Sequence, residues 1–151
     1  MAYTLQALIA DRETLSGAGL DVDPRTFVPL PQAKAMLPLT SALLEQFGIP
    51  FLPLTEEGAF AVPEELDELG AVASARGPVA YVEAEVFGES VTQGVVVWSE
   101  GNIVLGPVVS EDAINAALKA LGVARTKTDD EFHVLELGRH TATDDWVPDT
   151  A

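Results

Sequence analysis

The chain contains no cysteine. That excludes disulfides, thiolate metal sites and cysteine nucleophiles, and it fits a reducing, cytoplasmic setting. Positive charge is also scarce. Lys and Arg total 8 against 24 Asp and Glu, a formal net charge of −16, and only Lys34, Lys119 and Lys127 are lysines. Such a chain repels nucleic acid and anionic membranes, and it attracts basic partners. Long apolar runs are missing too: none approaches the ~20 residues that a spanning helix needs. The stretch from Met1 to Ala10 has no basic residue and contains Gln6, so it reads as a first strand and not as a signal peptide. There is no glycine-rich phosphate loop, no G-x-S-x-G, no H-E-x-x-H and no EF-hand spacing. Gly17-Ala18-Gly19 is too short for a nucleotide fingerprint. No cofactor and no metal site are expected.

What remains is apolar enough to fold. Apolar residues make up 48% of the 151, and the mean hydropathy is +0.22. Those values argue for a packed core despite the charge. One acidic domain is expected over residues 1–146, with a flexible tail at 147–151. The charge is concentrated in the middle. From Ala35 to Leu118 there are 13 acidic residues and one basic residue, Arg76, a net of −12.

The pattern predicts an α+β fold: an antiparallel sheet with a central three-strand meander at about 78–107, packed against two to four helices. Tyr3–Ala10 reads as a buried strand, 11–23 as a loop with room for a short helix, and 26–31 as extended because each proline disfavours helix before it. Residues 32–37 read as a helical turn. Thr40 or Ser41 caps a helix that Gly48 ends, and Phe51–Leu54 reads as a short strand. Pro63-Glu64-Glu65 opens a helix with Leu66, Leu69 and Val72 on one face. Within it, Gly70 costs up to ~1 kcal/mol relative to alanine. The acidic pairs Glu56-Glu57 and Glu64-Glu65 read as loop and helix-start residues. The meander is Pro78–Phe87, Val91–Ser99 and Ile103–Gly106, with loops at 88–90 and 100–101. Ser110 then caps a helix whose stripe is Ile114, Ala117, Leu118 and Leu121. Phe132–Leu137 reads as a last strand.

Two clusters stand out. With a loop at 88–90, Tyr81, Glu83, Glu85 and Gln93 share one sheet face with Val95 and Val97. Two carboxylates at i, i+2 lie ~7 Å apart there, a spacing suited to basic side chains, a divalent metal or acid–base work. The plainest reading is a solvated sheet face; as a site, these four residues form the candidate partner-binding face. The second cluster is Arg139, His140, Asp144, Asp145 and Trp146. His140 there could serve as a general base oriented by Asp144 or Asp145. The plainer alternative is a tail that docks Trp146 on the core and pairs Arg139 with an acid. His133 and His140 would face opposite ways on a continuous strand, which argues against a joint metal site.

The segments Tyr81-Val-Glu-Ala-Glu-Val-Phe-Gly88, Val104-Leu-Gly-Pro107, Ile114–Val123, Asp130-Glu-Phe132, Leu137-Gly-Arg-His140 and Asp145-Trp146 resemble a group of small uncharacterised actinobacterial proteins. The resemblance covers the part of the chain from Tyr81 to Trp146. In that group a basic residue often follows the histidine, whereas here Thr141 does. The resemblance implies a bacterial, cytosolic setting and supplies no activity to carry over.

Three functions compete. The leading one is a non-enzymatic binding protein that neutralises or sequesters a basic protein, as an immunity protein does. The second is an enzyme or small-ligand binder that uses Glu83, Glu85, Arg139 and His140, which requires them to converge on one pocket. The third is an assembly subunit in which the apolar face of the meander pairs with another copy, a homo-oligomer.

Overall fold

Residues 2–11 offer apolar side chains on both alternating faces, as a strand covered on two sides requires. They form β1 (Ala2–Asp11), the centre of a six-stranded sheet. The computed structural model describes residues 2–57 and 62–147. Around β1 stand β2 (Val28–Leu30), β3 (Lys34–Pro38), β4 (Val79–Phe87), β5 (Ser90–Ser99) and β6 (Asn102–Ser110), in the order β2-β3-β1-β4-β5-β6 with every pair antiparallel. Among the described residues, six short α-helices complete the fold: α1 (Arg12–Ser16), α2 (Ser41–Phe47), α3 (Pro53–Glu57), α4 (Glu64–Ala73), α5 (Ala113–Ala120) and α6 (Glu131–Val134). The class is α+β, with more helices than the two to four expected.

The helices cover both faces of the sheet. Leu5, Ala7 and Ile9 of β1 join Ala80, Val82, Val95 and Val97 under Ile114, Ala117 and Leu118 of α5, with Leu135, Leu137 and Trp146. On the other side, Leu8 and Ala10 join Tyr81, Val96 and Trp98 under Leu15 of α1, Leu43 of α2, Leu54 of α3 and Leu66 and Leu69 of α4. The sheet is thus the middle of three layers. The meander face expected to pair with another copy is mostly internal. The large apolar side chains that the meander leaves exposed are Phe87 at the end of β4 and Ile103, Val104 and Val109 on β6.

Local signals placed several elements correctly. Thr40 Oγ1 accepts from Leu43 N at 3.3 Å, and Gly48 ends α2 in the left-handed region at φ 70°. Three segments differ. Residues 34–38 are β3, not a helical turn, because all five are buried between the two layers and show no alternation. The left-handed Gln32 and Ala33, at φ 61° and 59°, make the turn into it. Residues 53–54 begin α3 and do not extend a strand. Residues 131–134 form α6, because the Asp130 carboxylate caps the N–H of His133 at 3.0 Å. Val72 is exposed, so the buried face of α4 is Leu66, Leu69, Gly70 and Ala73. Glu64-Glu65 open α4 as expected. Glu56 and Glu57 fall in α3, not in a loop, and their side chains lie outside the described residues, as does the tail from residue 148.

Gly70 is not merely tolerated in α4. A Cβ there would lie inside the indole of the fully buried Trp98, whose Nε1 donates to Asp67 of the same helix at 2.9 Å. The missing side chain is what lets α4 sit on the sheet. Gly70→Ala is therefore expected to destabilise the protein by about 1–3 kcal/mol, although alanine alone would favour the helix by up to about 1 kcal/mol. The measurement is urea unfolding, with a lower midpoint and an unchanged slope. A midpoint that rises would show that α4 does not rest on Trp98 in this way.

Candidate functional site

The expected binding face depends on register. Phe87 pairs with Ser90, so the first hairpin turn is only Gly88-Glu89, one residue shorter than the expected loop. Every partner shifts by one: Glu83 faces Gly94, Tyr81 faces Val96 and Ala84 faces Gln93. Gln93, Val95 and Val97 consequently lie on the opposite side of the sheet from Tyr81, Glu83 and Glu85. The four residues do not form one face, which corrects the expectation.

Nor are Tyr81 and Glu83 accessible, since each is 0% exposed. The Glu83 carboxylate accepts from Leu54 N (3.0 Å), Thr55 N (2.9 Å), Thr55 Oγ1 (2.8 Å) and the Tyr81 hydroxyl (2.7 Å). Four donors suit a carboxylate that only accepts. Tyr81 in turn accepts from Gln6 Nε2 at 3.0 Å. Gln6 also donates to the Pro50 carbonyl at 3.0 Å and accepts from Leu52 N at 3.3 Å. This network fastens the 50–55 segment to the sheet. Gly94 makes room for it: a Cβ there would stand 2.9 Å from Leu54 Cβ and 3.2 Å from Glu83 Cγ. Gln93 does the matching task on the other face. Its Oε1 accepts from Ile114 N at 2.9 Å and caps α5, whose N-cap residue Asp112 makes no side-chain cap bond. Ser110, expected to be the cap, bonds Asp112 instead. Glu85 is half-buried opposite Thr92.

The C-terminal cluster docks the chain end. Trp146 is buried against the α5 layer. His140 meets its ring edge-on at 4.8 Å, and the Arg139 guanidinium lies 5.6 Å from it. Arg139 also pairs with Glu136 at 3.0 Å. Asp144 accepts from Ser41 N and Oγ at 3.0 and 3.2 Å, while Asp145 is exposed. Arg139 and His140 therefore flank Trp146 in one layer, and Glu83 is buried in the other. The residues of the enzyme reading do not converge on a pocket.

The side chains that do converge lie elsewhere. A cleft of about 390 Å3 opens between the sheet end and the starts of α5 and α6. Ala84, Val86 and Val91 form its floor, and Tyr3 and Phe132 stand edge to face at 6.0 Å. Glu111, Asp112, Asp130 and His133 rim it. Asp130 Oδ1 lies 2.6 Å from His133 Nδ1, and its Oδ2 accepts from Asn115 at 3.0 Å. Partial desolvation opposes the Asp130 carboxylate, but the bonds from His133 and Asn115 outweigh it and hold its pKa below the usual carboxylate range. Among the described residues, no group of three or more His, Asp or Glu side chains is placed to hold a metal ion.

Comparison with family models, curated proteins and solved structures yields no match. The cleft must speak through its own chemistry, an apolar floor within an anionic rim.

Sequence reasoning missed this rim because Glu111 and Asp112 merely follow the expected cap Ser110, and Asp130 merely precedes the segment read as a last strand. The one available signal was Asp130 followed three residues later by His133, a capping pattern hidden in a segment read as a strand.

Two predictions follow from the buried network. Glu83→Gln places an NH2 group against donors, and a loss of about 2–3 kcal/mol is expected in urea unfolding. Burial raises the pKa of Tyr81 well above its ordinary value, the Glu83 charge and hydrogen bond adding to the effect, and burial alone raises that of Tyr3. They are the two tyrosines of the chain. The folded state thus prefers the neutral phenol, so their contribution to stability is intact below about pH 10 and is lost as pH rises past it. No tyrosinate absorbance should appear near pH 10 until the protein unfolds, whereas the urea-unfolded chain should titrate there normally.

Proposed function

We propose that this protein is a non-enzymatic acidic binding protein that sequesters a basic protein partner in the cytoplasm, in the manner of an immunity protein. The carrying observation is the cleft whose apolar floor is rimmed by Glu111 and Asp112, beside the Asp130–His133 pair. A lysine or arginine side chain matches it: the stem lies on Val86 and Val91 and the charge meets the rim. Phe132 and Tyr3 add aromatic surface for a cation.

The charge balance of the surface supports the same reading. Among the described residues, Arg25, Lys34, Arg125 and Arg139 are tied to Asp23, Asp11, Glu131 and Glu136 at 2.6–3.0 Å. Arg12 donates to the carbonyls of Lys34 and Leu30. Outside those four ion pairs, 4 cations, Arg12 among them, stand against 20 acids, so the field outside the protein is strongly negative and steers cations inward. No helix among the described residues is long and apolar enough to cross a membrane.

The expected result is a 1:1 complex with a basic protein, captured at low salt from the native host. Its association rate should fall by about tenfold or more as salt screens the field. The double variant Glu111→Lys, Asp112→Lys should slow association by a similar factor without changing the urea midpoint. If no basic protein is retained at low salt, or the double variant binds one unchanged, the reading fails.

A further inference from the structure

A second cleft, of about 360 Å3, lies at the other end of the sheet, where α1 and the 17–27 loop fold over the β2–β3 edge. Its character is the reverse of the first. Leu20, Val22, Phe27 and Pro29 wall it, and the first three pack on the core cluster under α1, α2, α3 and α4. Among the described residues, the one charged group that lines it is a cation, Arg12, and Ser16 is the one other side chain with a polar group. In a chain of net charge −16, an apolar cleft with a guanidinium and no carboxylate in its lining reverses the prevailing sign.

Arg12 is also held in place. Its Nε donates to the Lys34 carbonyl at 3.1 Å and its Nη2 to the Leu30 carbonyl at 2.9 Å. Its backbone N–H donates to the Ala33 carbonyl at 3.0 Å. A guanidinium has five N–H donors. Two are used in this way, and no carboxylate among the described residues pairs with it. The nearby Asp11 and Asp23 are engaged by Lys34 and Arg25. The fork is thus fixed by the β2–β3 turn with donors left over, and it suits a carboxylate. The size and the mostly apolar lining suit a small ligand.

We propose that this cleft binds a small amphiphilic monocarboxylate, with its carboxylate on Arg12 and its hydrocarbon tail along Leu20, Val22 and Phe27. This site is independent of the acidic cleft and of any protein partner.

Calorimetric titration of the full-length protein with decanoate, decanol and decyltrimethylammonium tests it. Decanoate should bind one to one, with decanol about tenfold weaker for lack of the charge-assisted bonds and the ammonium weaker still. Arg12→Gln should remove the preference for decanoate over decanol, and Arg12→Lys should keep part of it. Leu20→Trp, which fills the cleft and leaves Arg12 in place, should abolish binding of both. If Arg12→Gln fails to fold, the decanoate-to-decanol ratio of the unaltered protein and the Leu20→Trp result still decide. The proposal is overturned by the absence of saturable decanoate binding, by decanol or the ammonium binding as tightly, or by Leu20→Trp leaving binding unchanged.

Discussion

A sheet covered on both faces leaves its central strands no solvated side, and that constraint governs the placement of every polar residue on them. Gln6, Tyr81 and Glu83 sit under α3, and Gln93 sits under α5. Each would be costly if left unpaired. Burying a carboxylate costs several kcal/mol, and the four donors on Glu83 offset this at about 1.5–3 kcal/mol each. Their partners include the backbone N–H groups of Leu54, Thr55 and Ile114 at the starts of α3 and α5, which have no intrahelical acceptor. The sheet supplies caps that the helices lack locally, so the polar strand residues fix where α3 and α5 dock.

The same constraint explains how far the sequence could be read. The meander, α2 with its Thr40 and Gly48 ends, and the start of α4 rest on neighbouring residues and were legible. The α3 segment was not, because the carboxylate that organises its first turn stands on β4, 28 residues from Thr55 along the chain. β3 lost its alternation through burial on both sides. The alternation of Tyr81, Glu83 and Glu85 suggested a solvated face, but Tyr81 and Glu83 belong to an internal network and Glu85 is half-buried. A turn one residue shorter than expected then sent Gln93 to the opposite layer. The candidate site was less legible than the fold, since its rim comes from residues 111–112 and 130–133, which the chain brings together only after α5 has crossed the sheet.

The C-terminal segment shows why Arg139 and His140 gather beside Trp146. β3 pairs only with residues 7–11 of β1 and leaves the first half of that strand open on one side. The chain end fills the gap. Thr4 N donates to the Thr141 carbonyl at 2.9 Å, and Gln6 N donates to Thr143 Oγ1 at 3.1 Å. Trp146 follows into the core, and Arg139 and His140 surround its ring. Their clustering is the consequence of anchoring one large aromatic.

The acidity itself divides by use. Glu83, Glu131, Asp67 and Asp144 accept hydrogen bonds that hold elements together. The −12 of the central segment therefore overstates what it can offer to a partner, since part of that charge faces inward. Glu111 and Asp112 differ: both are exposed, and neither bonds an element distant in sequence among the described residues. Only carboxylates of this second kind can exchange water for an incoming cation without loosening the fold. They stand where the sheet end also leaves apolar surface open, so the cleft sets exposed carboxylates beside an apolar floor, the pairing on which the proposed capture of a basic side chain rests.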